Sequence, residues 1–365
     1  MTDLDSMLDA QPPDLAGAPP PQAGRWRRRM RRFGMVALVL TVTGTTAGLA
    51  GGYLIRSHLL GNIKRIDGAF QNVDGQRRPA PDPVAGGQTI LAVGLDVRSP
   101  VQTTGTAAVD PKAAEGGERS DTIMLVRIGP DARSATVVSI PRDSWVEVPG
   151  HGLMKINASY ALGGPALLIR TVEQLTGIRV DHFLILDFAG FQSIVDTLNG
   201  VDVQVAAATT DLGGRHFLKG TNHLNGDMAL AYVRQRYGLP AGDLDRVRRQ
   251  QNFLRAVFSK LAATHLVDDP VRGYHLLDAI TRAVTVDSTY TDTELYRLAL
   301  DALRLRSGQI WFLTAGVAGL GREGAQSVVY LDKARDAELW QAIRDDDTAR
   351  YALAHPADQL GQVTP

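Results

Sequence analysis

The chain predicts an α/β fold: a mixed central sheet flanked by helices in α-β-α layers, with one transmembrane helix ahead of it. Two observations carry that reading. From residue 89 onward, short apolar runs bounded by turn residues alternate with longer amphipathic stretches, the signature of strands and helices packed in layers. Before them, residues 33–55 (FGMVALVLTVTGTTAGLAGGYLI) contain no charged residue, enough helix to cross a hydrocarbon core of about 30 Å.

Each element follows in order. Residues 89–95, 122–128 and 135–140 are apolar runs read as buried strands, the last stopped by Pro141. Between the first two lies a Thr/Ala/Gly/Pro stretch, residues 99–117, expected as a surface loop. A helix is predicted over 165–175, started by Pro165 and closed by Gly177. A strand over 182–188, a helix over 190–198 and a strand over 201–205 come next. Helices are expected over 225–236, 244–263, 270–284 and 292–305, then a strand over 309–315 and a helix over 334–344. Should the second strand run antiparallel to the first and third, the charged residues flanking all three meet at one sheet edge.

The domain plan is a tail over 1–32, the spanning helix 33–55, a Pro-stiffened stalk 56–88, a catalytic domain 89–350 and a C-terminal tail 351–365. Residues 1–24 are rich in Asp, Pro, Ala and Gly and cannot bury enough apolar surface to offset their ordering entropy. Six arginines within residues 25–32 place the N-terminus in the cytoplasm and the bulk of the chain outside. A cleaved signal peptide is disfavoured because the apolar stretch is long and starts late.

Composition excludes several classes. The 365 residues hold 39 Lys+Arg, 39 Asp+Glu and no cysteine, which excludes disulfide scaffolds, thiolate metal sites and cysteine nucleophiles. Beyond residue 55 there are 33 basic and 35 acidic residues, a net of −2, which speaks against a nucleic-acid partner. There is no Gly-x-Ser-x-Gly elbow, no P-loop and no HExxH among the eight scattered histidines.

Charge gathers instead where apolar runs end: Asp96 and Arg98, Arg119 and Asp121, Arg142 and Asp143. Farther on come Arg234 and Arg236, then Asp243 opening a helix on which Arg246, Arg249 and Gln250 are expected on one face. Many guanidinium groups with a few carboxylates suit a phosphate or pyrophosphate ligand, the carboxylates holding a divalent cation against its oxygens. Taken singly, the aspartates could be turn or helix-cap residues and the arginines a solvated face; their convergence is the argument against that.

The blocks GLDVR (94–98), RSDTIMLVRI (119–128), VVSIPRDSWV (137–146), KINASYALGG (155–164), DHFLILDFAGF (181–191), LNGVDVQV (198–205), LNGDMALAYVRQR (224–236) and GDLDRVRRQQNFLRA (242–256), in this order, resemble the LytR–CpsA–Psr family. The resemblance covers roughly residues 89–258. It implies a single-pass membrane phosphotransferase, catalytic domain outside the cell membrane, that moves a glycopolymer from a polyprenyl pyrophosphate carrier onto peptidoglycan. On the matching motifs, Asp96 and Asp121 would hold Mg²⁺ or Mn²⁺. Arg98, Arg119, Arg142, Arg234, Arg236 and Arg246 would grip the phosphates with Gln250 nearby, and Asp243 would take the acceptor's proton. The catalytic set would then be Asp243, Arg119, Arg142, Arg234 and Arg236. The carrier lipid would lie in an apolar tunnel lined by the strands and the Phe183–Phe191 region. A pyrophosphatase side activity fits the same residues. The competing expectations are a non-catalytic carrier of the lipid and a membrane-bound transcriptional attenuator.

Overall fold

Seven strands make the central sheet of the computed structural model, which describes residues 52–71, 78–81, 87–95, 120–186, 188–263, 269–305 and 309–365. They are β1 (Lys64–Ile66), β2 (Gln88–Leu95), β3 (Ser120–Ile128), β4 (Ala135–Ile140), β5 (His182–Leu186), β6 (Val284–Asp287) and β7 (Ile310–Thr314). Their spatial order is β1-β6-β5-β2-β3-β4-β7. β3 is antiparallel to both β2 and β4, while β2–β5, β4–β7 and β1–β6 are parallel, so the sheet is mixed as expected. That antiparallel β3 puts the end of β2, the start of β3 and the end of β4 at one edge. The β2–β3 register shifts between Gly94 and Leu95, an irregularity at the rim where such features re-aim side chains.

Helices cover both faces. The helices are α1 (Ile156–Thr176), α2 (Phe188–Thr197), α3 (Gly226–Arg234), α4 (Asp243–Ala263), α5 (Pro270–Ala283), α6 (Asp292–Arg304), α7 (Lys333–Arg344) and α8 (Thr348–Ala354). Strand residues alternate between faces. Leu91, Val93, Ile123, Leu125, Val138, Ile140, Phe183 and Ile185 pack with Leu168, Ile169 and Val172 of α1 and Leu339 and Ile343 of α7. The opposite face sets Met124, Val137, Ile310 and Phe312 against Leu254 and Phe258 of α4. A second core joins α2, α3, α4 and α5 to the antiparallel ribbon Val201–Val205/Gly220–Leu224.

The helix expected over 165–175 is the second half of α1, which kinks at Gly163 and Gly164. Gly164 sits at φ 60°, ψ −155°, a region that only glycine occupies without strain, and Pro165 restarts the helix. Gly177, at φ 65°, closes it by donating to Glu173 O at 2.8 Å.

Other expectations are adjusted. The strand at 182–188 ends at Leu186 because α2 begins at Phe188. Residues 201–205 do form a strand, but in the ribbon and outside the central sheet. The helix read over 225–236 stops at Arg234, since Gln235 is extended. The polar stalk contributes β1 to the sheet, buries Ala69, and pairs Arg78 Nη2 with buried Glu173 at 2.6 Å. Residues 351–365 are packed: Tyr351 and Thr364 are buried, and Thr364 Oγ1 lies 2.9 Å from Tyr232 Oη. Phe183 and Phe191 belong to different cores.

The chain divides into two units, 1–57 and 58–365. Of the first, only residues 52–57 are described, and they are helical. Among the described residues no helix is long and apolar enough to cross a membrane; the span expected over 33–55 falls almost wholly outside them, as does the 1–32 tail. Three hairpins had no forecast: Trp145–Val148/Gly152–Lys155, Thr209–Thr210/His216–Phe217 and Val317–Glu323/Gln326–Leu331.

Candidate active site

The turn after β4 is fixed from three sides. Ser144 N–H donates to Pro141 O at 3.0 Å, Asn157 N–H of α1 donates to Arg142 O at 3.2 Å, and Val329 N–H donates to Asp143 O at 2.9 Å. Arg142 therefore leaves the sheet edge on a backbone that cannot drift. Its Nη1 pairs with Asp121 Oδ1 at the start of β3, its Nη2 lies 3.4 Å from Asp243 Oδ1, and its Nε is 3.8 Å from Asp143 Oδ2. Arg246 Nη2 reaches Asp243 Oδ1 at 3.0 Å and the Asp121 carbonyl at 3.4 Å. Asp121, Arg142, Asp243 and Arg246 thus converge from three elements distant in sequence.

Asp243 is not tying down the N-terminus of its helix. That task falls to buried Asp245, whose Oδ2 accepts from Ala241 N–H at 2.7 Å, while Gly242, at φ 56°, turns the preceding loop. The Asp243 carboxylate is left to the arginines.

Charge in the cluster is unevenly compensated. Burial works against the Arg142 cation, but the carboxylates of Asp243, Asp121 and Asp143 outweigh it and raise its pKa. Burial pulls the Arg246 pKa below its ordinary value; Asp243 and Asp121 offset this in part, while Arg142 and Arg236 add repulsion. Among the described residues, Nε of both Arg142 and Arg246 is buried without a hydrogen-bond partner. A buried and a half-buried guanidinium group, each with a spare donor, could receive an anion with several oxygens.

Lys155 is a cation the sequence reading did not single out, although the KINASYALGG block contains it. It ends the Trp145–Lys155 hairpin and places Nζ 3.0 Å from Asp143 Oδ1. Its signal was only its place just before α1, beside the fixed turn.

The remaining predicted residues separate. Asp96, Arg98 and Arg119 lie outside the described residues. Arg234 and Arg236 are exposed and line a cleft beside the cluster, because Gln235 between them is buried: its Nε2 donates to Thr210 O at 3.1 Å and to Tyr237 O at 3.2 Å. Arg246, Arg249 and Gln250 do share one buried side of α4, but their side chains go to different partners. Arg249 is fully buried, donating to Gln235 Oε1 at 2.7 Å and Thr209 Oγ1 at 2.8 Å beneath the Tyr232 ring, and so is structural. Gln250 is buried, its Nε2 donating to Val233 O at 3.4 Å.

For a divalent cation, Asp121 offers Oδ2, which takes no hydrogen bond from described residues, whereas Asp243 Oδ1 is buried between Arg142 Nη2 and Arg246 Nη2. Hard oxygen donors beside a phosphate receptor fit Mg²⁺. No group of three or more His, Cys, Asp or Glu suited to a metal occurs among the described residues.

A model of the LytR_cpsA_psr family matches residues 64–345, and the chain belongs to that family, LytR–CpsA–Psr. The cell wall biosynthesis protein LcpA of Corynebacterium glutamicum is 32% identical over 332 residues, 82% of this chain and 62% of that protein. The polyisoprenyl-teichoic acid–peptidoglycan teichoic acid transferase TagU of Bacillus mycoides is 41% identical over 155 residues, 41% of this chain and 51% of that protein. The chain thus spans about half to two-thirds of these relatives. The crystal structure of B. subtilis TagV superposes with a TM-score of 0.57 at 25% identity, covering 73% of this chain and 98% of that one.

Proposed function

We propose that this protein is a membrane-anchored phosphotransferase that moves a glycopolymer from a polyprenyl pyrophosphate carrier onto peptidoglycan. The observation that carries the reading is the pair Arg142, half-buried, and Arg246, buried, meeting Asp121 and Asp243 with Nε donors that have no hydrogen-bond partner among the described residues. The names of LcpA and TagU support the cell-wall setting and the transfer.

In this reading Arg142 and Arg246, joined by Arg98 and Arg119 from the neighbouring strand ends and by Arg234 and Arg236 at the rim, hold the pyrophosphate oxygens. The acceptor hydroxyl gives its proton to Asp243 as its oxygen attacks the phosphorus that bears the glycan. The bond from that phosphorus to the bridging oxygen breaks, and polyprenyl phosphate leaves with the electron pair. The product is a phosphodiester between glycopolymer and peptidoglycan. Positioning and electrostatics do most of the work in such a transfer. A Mg²⁺ held by Asp121 and Asp96 would neutralise charge on the phosphate oxygens when bound.

The helix over 33–55 keeps the site beside a carrier that stays at the bilayer, with the catalytic part outside the cell membrane. The test is a transfer assay with the purified full chain, a polyprenyl-pyrophosphate-linked glycan and peptidoglycan. Asp243→Asn should lower transfer by about 10²–10⁴-fold, the range for loss of a general base. Transfer by Asp243→Asn at the wild-type rate would overturn the assignment of the base.

A further inference from the structure

We propose that the cleft beside Arg236 is the saccharide subsite for the acceptor glycan; this rests on the transfer reading above. The cleft encloses about 370 Å³ and is lined by Asp211, Leu212, Arg215, Asp227 and Tyr237, with Arg234 and Arg236 on its side toward the phosphate cluster. That is at the small end of ligand pockets, a size for one or two sugar rings.

Its chemistry is divided as a pyranose is divided. One wall is polar and preorganised. Arg215 makes a two-pronged pair with Asp227 (Nε–Oδ2 3.1 Å, Nη2–Oδ1 2.9 Å), and its backbone N–H donates to Asp211 Oδ1 at 2.7 Å. The hairpin tip behind it is closed by Asp211 N–H to Arg215 O at 3.0 Å, with Gly214 at φ 78°. Carboxylates and a guanidinium fixed in this way present acceptors and donors to adjacent hydroxyls.

The other wall is apolar and exposed. Tyr237 is 54% and Leu212 82% accessible, yet the Tyr237 ring is held in place. The Arg236 guanidinium sits 4.8 Å over its centroid and donates to its Oη at 3.0 Å, and Gln235 anchors its carbonyl. A rigid exposed ring is a platform for the C–H face of a sugar.

Position selects the acceptor over the donor's glycan. Tyr237 leads through the loop Gly238–Gly242 directly into Asp243, the base that meets the acceptor hydroxyl, and Gly238 and Gly242 turn that loop at φ 75° and 56°. Arg236, on the rim, is close enough to shift the pKa of Arg246.

The test has two arms on the purified full chain. In the first, a soluble peptidoglycan disaccharide-peptide is titrated by calorimetry against wild type, Tyr237→Ala, Tyr237→Phe and Leu212→Ser. Tyr237→Ala should weaken binding about tenfold and Leu212→Ser severalfold, while Tyr237→Phe, which keeps the ring and loses only the hydroxyl bond to Arg236, should bind within twofold of wild type. In the second, steady-state transfer with Tyr237→Ala should raise KM for the acceptor about tenfold and the donor's KM by less than twofold. Unchanged disaccharide binding in Tyr237→Ala overturns the proposal, as does a loss confined to the donor's KM, which would assign the cleft to the donor's glycan. A wild-type chain that binds the disaccharide in the first arm but transfers nothing in the second would sink the transfer reading and leave the subsite standing.

Discussion

Asp245 and Asp243 lie two positions apart at the start of one helix and do different work. Asp245 is buried and ties Ala241 to the helix, whereas Asp243 faces Arg142 and Arg246. Nothing in the string GDLDRVRR separates them; their tertiary partners do. The same holds for Arg246 and Arg249, one in the cluster and the other sealed under Tyr232. Asp336 makes the residue scale testable on stability. It is buried, Oδ1 accepts from Gly316 N–H at 2.7 Å, Oδ2 has no partner among the described residues, and burial with Asp332 and Asp358 nearby pushes its pKa from 3.8 to about 6. The folded state therefore binds this proton more tightly than the unfolded chain. Its contribution is most favourable below pH 4 and declines by about 2–3 kcal/mol as pH rises to 6. Asp336→Asn keeps the acceptor and cannot ionise. Urea unfolding should show the variant gaining on wild type by about that amount between pH 4 and pH 8; parallel pH curves would refute the point.

At the scale of elements, most helices and the strands β2, β3, β4, β5 and β7 were legible, because apolar runs and turn residues bound them. The antiparallel β3 that brings the three strand ends to one edge was legible as a condition on topology and is observed. The edge strand β1 and the strand β6 were not, since three or four residues carry too little periodicity to stand out. Residues 201–205 illustrate another limit: the HPHPH alternation of VDVQV identifies a half-buried strand, yet only a partner decides which sheet it joins. The α1 kink has a direct test. An alanine at Gly164 must adopt φ 60°, ψ −155°, and such backbone strain costs about 1–3 kcal/mol. Because α1 donates to the Arg142 carbonyl through Asn157, Gly164→Ala should lower both the unfolding midpoint and transfer. An unchanged midpoint would mean the kink is not required.

For the whole molecule, net zero charge conceals a basic run beside an apolar stretch and a remainder of −2. The layered sheet and the converging site were readable beyond residue 88, while the cleft at Tyr237 was not. Its walls come from the 211–215 hairpin tip, α3 and the following loop, and only folding brings them together. If residues 33–55 span the membrane, a reporter enzyme active only outside the cytoplasm and fused after Pro365 should be active in cells. An inactive reporter, with a cytoplasmic-type reporter active at the same position, would refute the orientation.

The central claim is that Arg142 and its neighbours form the phosphate-transfer site. Release of polyprenyl phosphate by Arg142→Ala, measured by mass spectrometry beside wild type with unfolding midpoints matched, tests it most directly. Loss of one donor to transition-state charge should slow release about 10²–10³-fold, or about 2.7–4 kcal/mol of barrier. Release at the wild-type rate from a folded Arg142→Ala protein would contradict the account.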